Sequence, residues 1–326
     1  MAKGLDIGTA NLVAASLKNK KVEIKRLRNS FIEISDEARQ HLASGSLNAV
    51  HIKGKSYIVG DESVAVARIL GRDARRPMAA GVLNPEEKDG KNVIGALIKA
   101  LLGEPETEGE RCCFSVPAVP VDNAKANNVW HTAFFSQLLE NLGYTPEPVN
   151  EALAIIYAEC ADDGHTGISL SHGGGQVNCS MSYKLVGCLE FSVARSGDWI
   201  DRETASATGQ SIARVLRVKE DPNFDLLNPD ELDDEIGPAL QAYYSSMIKY
   251  EIGHLVQQWT KMKSQLDFPE EIPIILSGGT ALLKGFKDLW EKELNKFQKK
   301  TPLPLSLIHI SEPTRLRRIS YAVFCL

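Results

Sequence analysis

Three glycine turns carry the residues of this sequence that could do chemistry. Asp6 stands two residues before the first turn, which reads Gly8-Thr9-Ala10-Asn11. Backbone N–H groups of such a turn can surround phosphate oxygens, and a nearby carboxylate can hold a hydrated Mg²⁺. The second turn is Gly173-Gly174-Gly175, and the third is Gly278-Gly279-Thr280-Ala281. Each turn alone is weak evidence, because Asp and Gly also build ordinary turns. All three together favour a phosphate-binding protein.

Strand patterns precede each turn and must position it. Residues 4–30 read as three short strands, and residues 167–195 repeat the order of strand, glycine turn and hairpin. Between the two copies the pattern predicts helices and a buried strand, so the sequence indicates a duplicated α/β protein. Helices are predicted over 92–102, 129–142, 151–161 and 281–297. Residues 199–265 are predicted helical around an acidic loop at 220–234, whereas 31–90 are predicted irregular apart from a hairpin at 51–60.

Two other features have structural interpretations. The basic run Lys18–Arg28 could bind a polyanion, but its charges alternate with apolar residues, which favours a solvated strand face. Cys112 and Cys113 are adjacent on a predicted strand and so point to opposite faces. We therefore expect them to contribute packing and not a metal or redox site.

Composition limits the function classes. The 326 residues are 43% hydrophobic and 24% charged, which is ordinary for a soluble globular protein. A net charge of −5 argues against nucleic acid as a partner. The sequence shows no apolar run of about 20 residues that would span a membrane. No export segment follows Met1, and the six cysteines are scattered, so we expect a cytoplasmic protein.

The last 22 residues differ in character from the rest. Leu305–Arg315 and Ile319–Leu326 resemble translations of the two ends of a transposase-type sequencing-library adapter, and the three residues between them match the length of its index. We interpret 305–326 as a non-native, adapter-derived tail and expect the native sequence to be truncated near Pro304. A native basic tail is the alternative.

The motifs resemble the actin-like ATPase superfamily, which contains actin, DnaK-type chaperones, sugar kinases and bacterial filament proteins. Leu5–Asn11 resembles the first phosphate motif of MreB-like proteins most closely. Gly173–Gly175 is similar to the second phosphate motif, Ile275–Gly285 to the adenosine motif, and Val149–Ala154 to the connecting helix. The resemblance covers essentially all of residues 1–304.

The resemblance implies an α/β fold of two ribonuclease-H-like domains, which are two copies of one βββαβαβα unit, around a central nucleotide cleft. The first domain would be 1–150, with a small insert at about 31–90. The second would be 151–304, with an insert at about 199–265.

The resemblance also implies roles in binding ATP with Mg²⁺. Asp6 would hold the metal through water, and Gly8 with Thr9, Ala10 and Asn11 would bind the β-phosphate side. Gly173, Gly174 and Gly175 would bind the outer phosphates, while Gly278, Gly279, Thr280 and Ala281 would line the adenosine. Glu151 would orient the attacking water, since phosphoryl transfer depends mainly on positioning and charge stabilisation. From the residues alone, Glu151 is an ordinary helix-start carboxylate.

One departure from the family bears on hydrolysis. The superfamily usually has Asp where this chain has Ser171, two residues before the second turn, and serine cannot supply that charge. The neighbouring His172 could act as an acid or base, but we expect a half-exposed turn histidine. Slow or impaired hydrolysis follows as the expectation.

The resemblance leaves several functions open. The residues of the motifs favour a filament-forming ATPase like MreB or ParM. Filaments would require heterologous contacts that do not close into a ring. A DnaK-type monomeric ATP switch and a non-hydrolysing nucleotide-binding scaffold are the alternatives. A small-molecule kinase would need a catalytic base for a bound hydroxyl, and we find no convincing candidate.

Overall fold

The computed structural model describes residues 2–19, 21–35, 48–123, 127–263, 272–299 and 305–310. Its chain divides into two compact units. One contains Met1–Val116 and Asn128–Val149, and the other contains Pro117–Asn127 and the described chain from Asn150 onwards.

The first unit is built on a five-stranded sheet covered by helices. Its elements, apart from its insert, are β1 (Lys3–Ile7), β2 (Asn11–Lys18), β3 (Lys21–Arg28), β9 (Glu110–Val116), β10 (Tyr144–Asn150), α2 (Gly90–Leu102) and α3 (Val129–Asn141). The sheet order is β10-β9-β1-β2-β3. Strand β1 pairs antiparallel with β2 and parallel with β9.

Helical periodicity explains how this sheet is covered. Helix α2 buries Val93, Ile94, Leu97, Ile98 and Leu101, whose spacing places them on one face. These side chains belong to the same buried cluster as Leu5 and Ile7 of β1. Packing of these apolar side chains holds β1 in position, and the first glycine turn begins where β1 ends.

Strands β3 and β10 lie at the two edges of this sheet. Every second residue along the first half of β3 is exposed, which confirms the solvated strand face predicted for the basic run. The sequence analysis missed β10, which contains Pro146 and Pro148. An edge position accommodates proline because one side of the strand needs no N–H donors.

The insert in the first unit is more regular than predicted. It contains β4 (Phe31–Ile34), the hairpin β5 (Ala49–Ile52) and β6 (Lys55–Val59), α1 (Asp61–Ile69), and the hairpin β7 (Met78–Ala79) and β8 (Val82–Leu83). The prediction of irregular structure outside residues 51–60 is therefore wrong. Strand β4 is only four residues long and α1 only nine, so neither produces a clear periodic signal.

The second unit repeats the arrangement with the sheet order β13-β12-β11-β14-β15. Its strands are β11 (Gly167–His172), β12 (Val177–Tyr183), β13 (Val186–Val193), β14 (Ile272–Ser277) and β15 (Leu305–Ile310). Its helices are α4 (Glu151–Glu159), α5 (Gly197–Thr208), α6 (Ile212–Lys219), α7 (Ile236–Lys263), α8 (Phe286–Gln298) and a 3₁₀ turn, η1 (Gly279–Leu282).

Two details of the second unit differ from expectation. The predicted helix over 281–297 is split, because Gly285 adopts a left-handed conformation between η1 and α8. The acidic stretch 220–234 is a loop, as predicted, but it is not simply solvated. Its Phe224 and Leu226 are buried in the core, and Asp225 pairs with Lys284 at 2.9 Å.

Strand β15 lies within the segment that we interpret as adapter-derived. It pairs parallel with β14 from Ile272 opposite Leu305 to Leu276 opposite Ile310. Pairing of this kind needs only an apolar segment of suitable length, so it does not depend on the origin of the segment. The adapter interpretation stays a prediction, and residues 301–304 and 311–326 lie outside the described residues.

Candidate functional site

The first glycine turn connects β1 to β2. Ile7 is paired with Leu12, so residues 8–11 must reverse the chain. A Cβ atom on Gly8 would lie 2.6 Å from the carbonyl oxygen of Asn11, a distance that real Cβ atoms do not adopt. Glycine is therefore required at position 8 by the tightness of the turn.

Hydrogen bonds orient this turn. The side chain of Asn29 donates from Nδ2 to the carbonyl of Gly8 at 3.0 Å, and its backbone N–H donates to the carbonyl of Ala10 at 2.9 Å. The hydroxyl of Thr9 accepts the N–H of Gly81 at 3.1 Å. Among the described residues, no acceptor is bonded to the backbone N–H groups of Thr9 and Ala10. The turn therefore has anchored carbonyls and free donors, as an anion site requires.

Asp6 lies on β1 beside the turn and is held by the neighbouring strand. Ser115 of β9 donates its hydroxyl to Oδ1 of Asp6 at 2.8 Å and accepts the N–H of Ile7 at 2.8 Å. Burial raises the pKa of Asp6, and the hydrogen bond from Ser115 opposes that shift. Within the described chain, Oδ2 has no hydrogen-bond donor.

This donor set fits a hydrated magnesium ion. The described residues contain no cluster of three or more His, Cys, Asp or Glu that could enclose a metal. A metal at Asp6 would therefore be held through its water shell, which Mg²⁺ commonly keeps.

The side chain of Asn11 contacts strand β3. Its amide oxygen accepts two hydrogen bonds from the Arg26 guanidinium, at 3.1 and 2.9 Å, on an exposed surface. The sequence analysis did not assign Arg26 to the site. Arg26 lies in the basic run, and we interpreted the whole of that run as a solvated strand face.

The second glycine turn connects β11 to β12. His172 is paired with Val177, so the turn runs from Gly173 to Gln176. The carbonyl of Gly173 accepts the hydroxyls of Ser196 and Thr280, the latter at 2.9 Å.

Two backbone donors at the start of helix α5 add to this anchoring. The N–H groups of Gly197 and Asp198 donate to the carbonyls of Gly173 and Gly174, at 3.2 and 2.8 Å. In the part of the chain that the structure describes, the N–H groups of Gly174 and Gly175 have no acceptor.

The third turn is tied to the second. Strands β11 and β14 are parallel neighbours, with Ser171 opposite Ser277. Gly278 has a φ of 94° and its Cβ would lie 2.4 Å from the carbonyl oxygen of His172, so no other residue fits. Thr280 in η1 then reaches the carbonyl of Gly173, which joins the predicted adenosine motif to the second phosphate motif.

Glu151 lies at the first position of α4 and is held at both carboxylate oxygens. Ser171 donates to Oε1 at 2.5 Å, and Asn178 donates from Nδ2 to Oε2 at 2.9 Å. Asn150 caps the helix by accepting the N–H of Leu153 at 3.0 Å. The backbone and the carboxylate of Glu151 are therefore both fixed.

His172 corrects the sequence analysis. We expected a half-exposed turn histidine, but its side chain is 0% exposed. Its Nδ1 lies 3.1 Å from the carbonyl oxygen of Ser277, and its Nε2 lies 3.0 Å from Oε1 of Glu251. Trp290 donates its indole N–H to the same carboxylate. The network joins the strand ends before two of the turns to α7 and α8.

The predicted site residues fall into two groups. Asp6 and residues 8–11 belong to the first unit, whereas Glu151, residues 173–175 and residues 278–281 belong to the second. Within the second unit, Thr280 contacts the glycine turn, while Glu151 contacts Ser171 on the strand that leads into it.

Comparison with known proteins identifies the fold. A family model described as Volactin matches residues 1–314. No curated protein matches the sequence. A structure of the MamK double helical filament is 15% identical, with a TM-score of 0.70 over 99% of this chain and 98% of that chain.

Two further structures are similar over nearly the whole chain. A non-polymerising MamK mutant bound to AMPPNP is 16% identical, with a TM-score of 0.56 over 99% of this chain and 97% of that one. The ethanolamine utilization protein EutJ from Carboxydothermus hydrogenoformans is 15% identical, with a TM-score of 0.53 over 99% and 89%. These likenesses confirm the predicted actin-like α/β fold.

Proposed function

The chain belongs to the Volactin family, and because it also has the actin-like fold, we propose that it is an ATP-binding protein that assembles with itself into filaments. The observation that carries the proposal is that each of two glycine turns has anchored carbonyls and two backbone N–H groups with no acceptor among the described residues. Such donors suit phosphate oxygens.

The individual roles follow from the family motifs. Gly8, Thr9, Ala10 and Asn11 bind the β-phosphate side, and Gly173 to Gly175 bind the outer phosphates. Gly278 to Ala281 line the adenosine. We further propose that 1–150 and 151–304 are the two copies of the duplicated domain.

Asp6 would hold Mg²⁺ through water. Its free Oδ2 supports this assignment, while Ser115 fixes the orientation of the carboxylate. The ion, when bound, neutralises charge on the phosphate oxygens.

Glu151 orients the water that attacks the γ-phosphate, and turnover is slow. The reason for slow turnover is that position 171 offers a hydroxyl in place of a second carboxylate. Slow hydrolysis would leave the ATP-bound form long-lived, which suits a nucleotide-dependent filament.

Filament formation is proposed by analogy with the MamK double helical filament. The test is sedimentation of the purified protein with ATP, with ADP and without nucleotide over a range of protein concentrations. We expect pelleting that requires nucleotide. Absence of nucleotide-dependent pelleting at every concentration, with ATP binding intact, would leave a monomeric ATP switch as the function.

Nucleotide binding is tested separately by titration with a fluorescent ATP analogue in the presence and absence of Mg²⁺. The Asp6→Asn variant should lose the Mg²⁺-dependent part of the affinity. Asp230→Asn makes the same chemical change at an exposed position and should bind like the wild type. Equal Mg²⁺ dependence in both variants would contradict the role of Asp6.

No helix among the described residues is long and apolar enough to span a bilayer.

A further inference from the structure

We propose that Ser171 is a positioning residue for hydrolysis, which acts by holding the Glu151 carboxylate in one orientation. The inference rests on the proposed ATPase function and assigns a role to the residue that seemed to weaken it. Ser171 is 4% exposed, and its single hydroxyl proton is directed at Oε1 of Glu151 at 2.5 Å.

Strand register explains why two donors converge on one carboxylate. Ser171 of β11 is directly paired with Asn178 of β12. Side chains of such a cross-strand pair point to the same face of the sheet. The hydroxyl and the amide therefore reach Glu151 from adjacent strands, and each carboxylate oxygen has its own donor.

The amide orientation of Asn178 is itself determined. Its Oδ1 accepts the N–H of Ala118 at 2.9 Å and the side-chain amide of Gln176 at 3.3 Å. Both contacts require an acceptor, so Nδ2 must face Glu151. Asn178 is 2% exposed, so water does not compete for these bonds.

A carboxylate held by two donors cannot rotate to follow a bound water, so the water must come to one defined place. In hydrolysis, a water oxygen forms a bond to the γ-phosphorus as the bond to the bridging oxygen breaks. The products are ADP, inorganic phosphate and a proton released to solvent. Glu151 contributes orientation, and misplacement by about 1 Å can cost about a hundredfold in rate.

The test measures phosphate release at saturating ATP and, separately, ATP affinity. We expect Ser171→Ala to lower the turnover number about tenfold or more, with the dissociation constant for ATP unchanged within about twofold. Ser171→Thr keeps the hydroxyl and should recover most of the activity.

Ser180→Ala is the matched control. Ser180 of the neighbouring strand β12 is buried like Ser171, but its hydroxyl donates to the carbonyl of Leu189 and not to Glu151. This variant should keep the wild-type turnover number. If Ser171→Ala does not fold, Ser171→Cys takes its place, because a thiol of similar volume is only a weak donor.

Two results would overturn the inference: wild-type turnover in Ser171→Ala, or a wild-type rate no greater than that of Glu151→Gln. Neither result would contradict ATP binding by the protein. Failure of the wild-type protein to bind ATP would instead refute the proposed function.

Discussion

The first and second glycine turns of this protein have the same layout, but the positions of the carboxylate and the hydroxyl are exchanged. In the first unit the strand before the turn supplies a carboxylate, Asp6, and the neighbouring strand supplies a hydroxyl, Ser115, at 2.8 Å. In the second unit the strand supplies the hydroxyl, Ser171, and the adjoining helix supplies the carboxylate, Glu151, at 2.5 Å.

The comparison teaches that the duplicated frame determines where a polar pair stands, but not which member is charged. A residue two positions before either turn is directed by strand register to the same kind of place. Considered alone, Ser171 stands where the family has an acid. Considered with Glu151, it completes a hydroxyl–carboxylate pair in which the helix supplies the charge.

The surroundings of the turns differ as well. Behind the second turn, His172, Glu251 and Trp290 form a buried polar network. The first unit also has a buried histidine, His131, but none of the described carboxylates is bonded to it. Its Nδ1 accepts the N–H of Leu83 at 3.2 Å, and its Nε2 is buried without a partner.

The largest expected effect tests the network behind the second turn. His172→Leu should lower the free energy of unfolding by about 3–5 kcal/mol, because it leaves the Glu251 carboxylate buried without its main partner. Urea unfolding followed by tryptophan fluorescence measures the loss. The double variant His172→Leu with Glu251→Leu should recover part of the stability, and a double variant no more stable than the single one would contradict this account.

The two turns should differ in their tolerance of a methyl group. Gly8→Ala brings Cβ within 2.6 Å of a backbone oxygen, whereas Gly173→Ala brings it only within 3.2 Å of Gln176. We expect Gly8→Ala to cost about 1–3 kcal/mol and to weaken ATP binding strongly, and Gly173→Ala to cost less. Calorimetric titration with ATP and thermal unfolding of both variants measure the difference. Gly253→Ala in α7, with no atom within 4 Å of the added Cβ, is the structural control.

The buried histidine of the first unit should make stability depend on pH. Burial lowers the pKa of His131 from 6.5 to about 4. Between these values the unfolded chain binds the proton and the folded chain does not, so stability is lost as pH falls from about 6.5 towards 4, by about 2 kcal/mol at pH 5.

Replacing this histidine isolates the effect. His131→Asn, which keeps an acceptor for Leu83, should flatten the dependence in unfolding measured at several pH values. His51→Asn removes an exposed imidazole and should leave the slope unchanged. Equal slopes in all three proteins would show that His131 is not the origin.

The smallest expected effect concerns the anchoring of the carbonyls. Asn29→Ala removes the side-chain donor to Gly8 and should cost about 1 kcal/mol, with a several-fold loss of ATP affinity. Ser196→Ala removes one of three donors to the carbonyl of Gly173 and should cost less, since Thr280 and Gly197 remain. Thermal unfolding of the two variants in parallel decides whether the second turn has this redundancy.

Much of the frame could be predicted because its signals are local. Strand alternation and glycine turns identified β1, β2, β11 and β12, and the helical pattern over 92–102 identified α2. Short or proline-containing elements such as β4 and β10 were missed, because four residues or two prolines obscure the periodic pattern.

The partners of the site residues could not be predicted. Ser115 is 109 positions from Asp6, and Glu251 is 79 positions from His172. Nothing local in the sequence connects such pairs, so His172 was expected at the surface and Ser171 was judged only by what it lacks.

The sequence by itself determined the duplicated α/β frame and the three glycine turns, because backbone geometry and side-chain alternation are properties of short segments. Only the tertiary structure decided which side chains meet. Strand register and helix placement bring Ser171 and Asn178 to Glu151 and bury His172 against Glu251. The chemistry of a polar group depends on the partner that the fold places beside it.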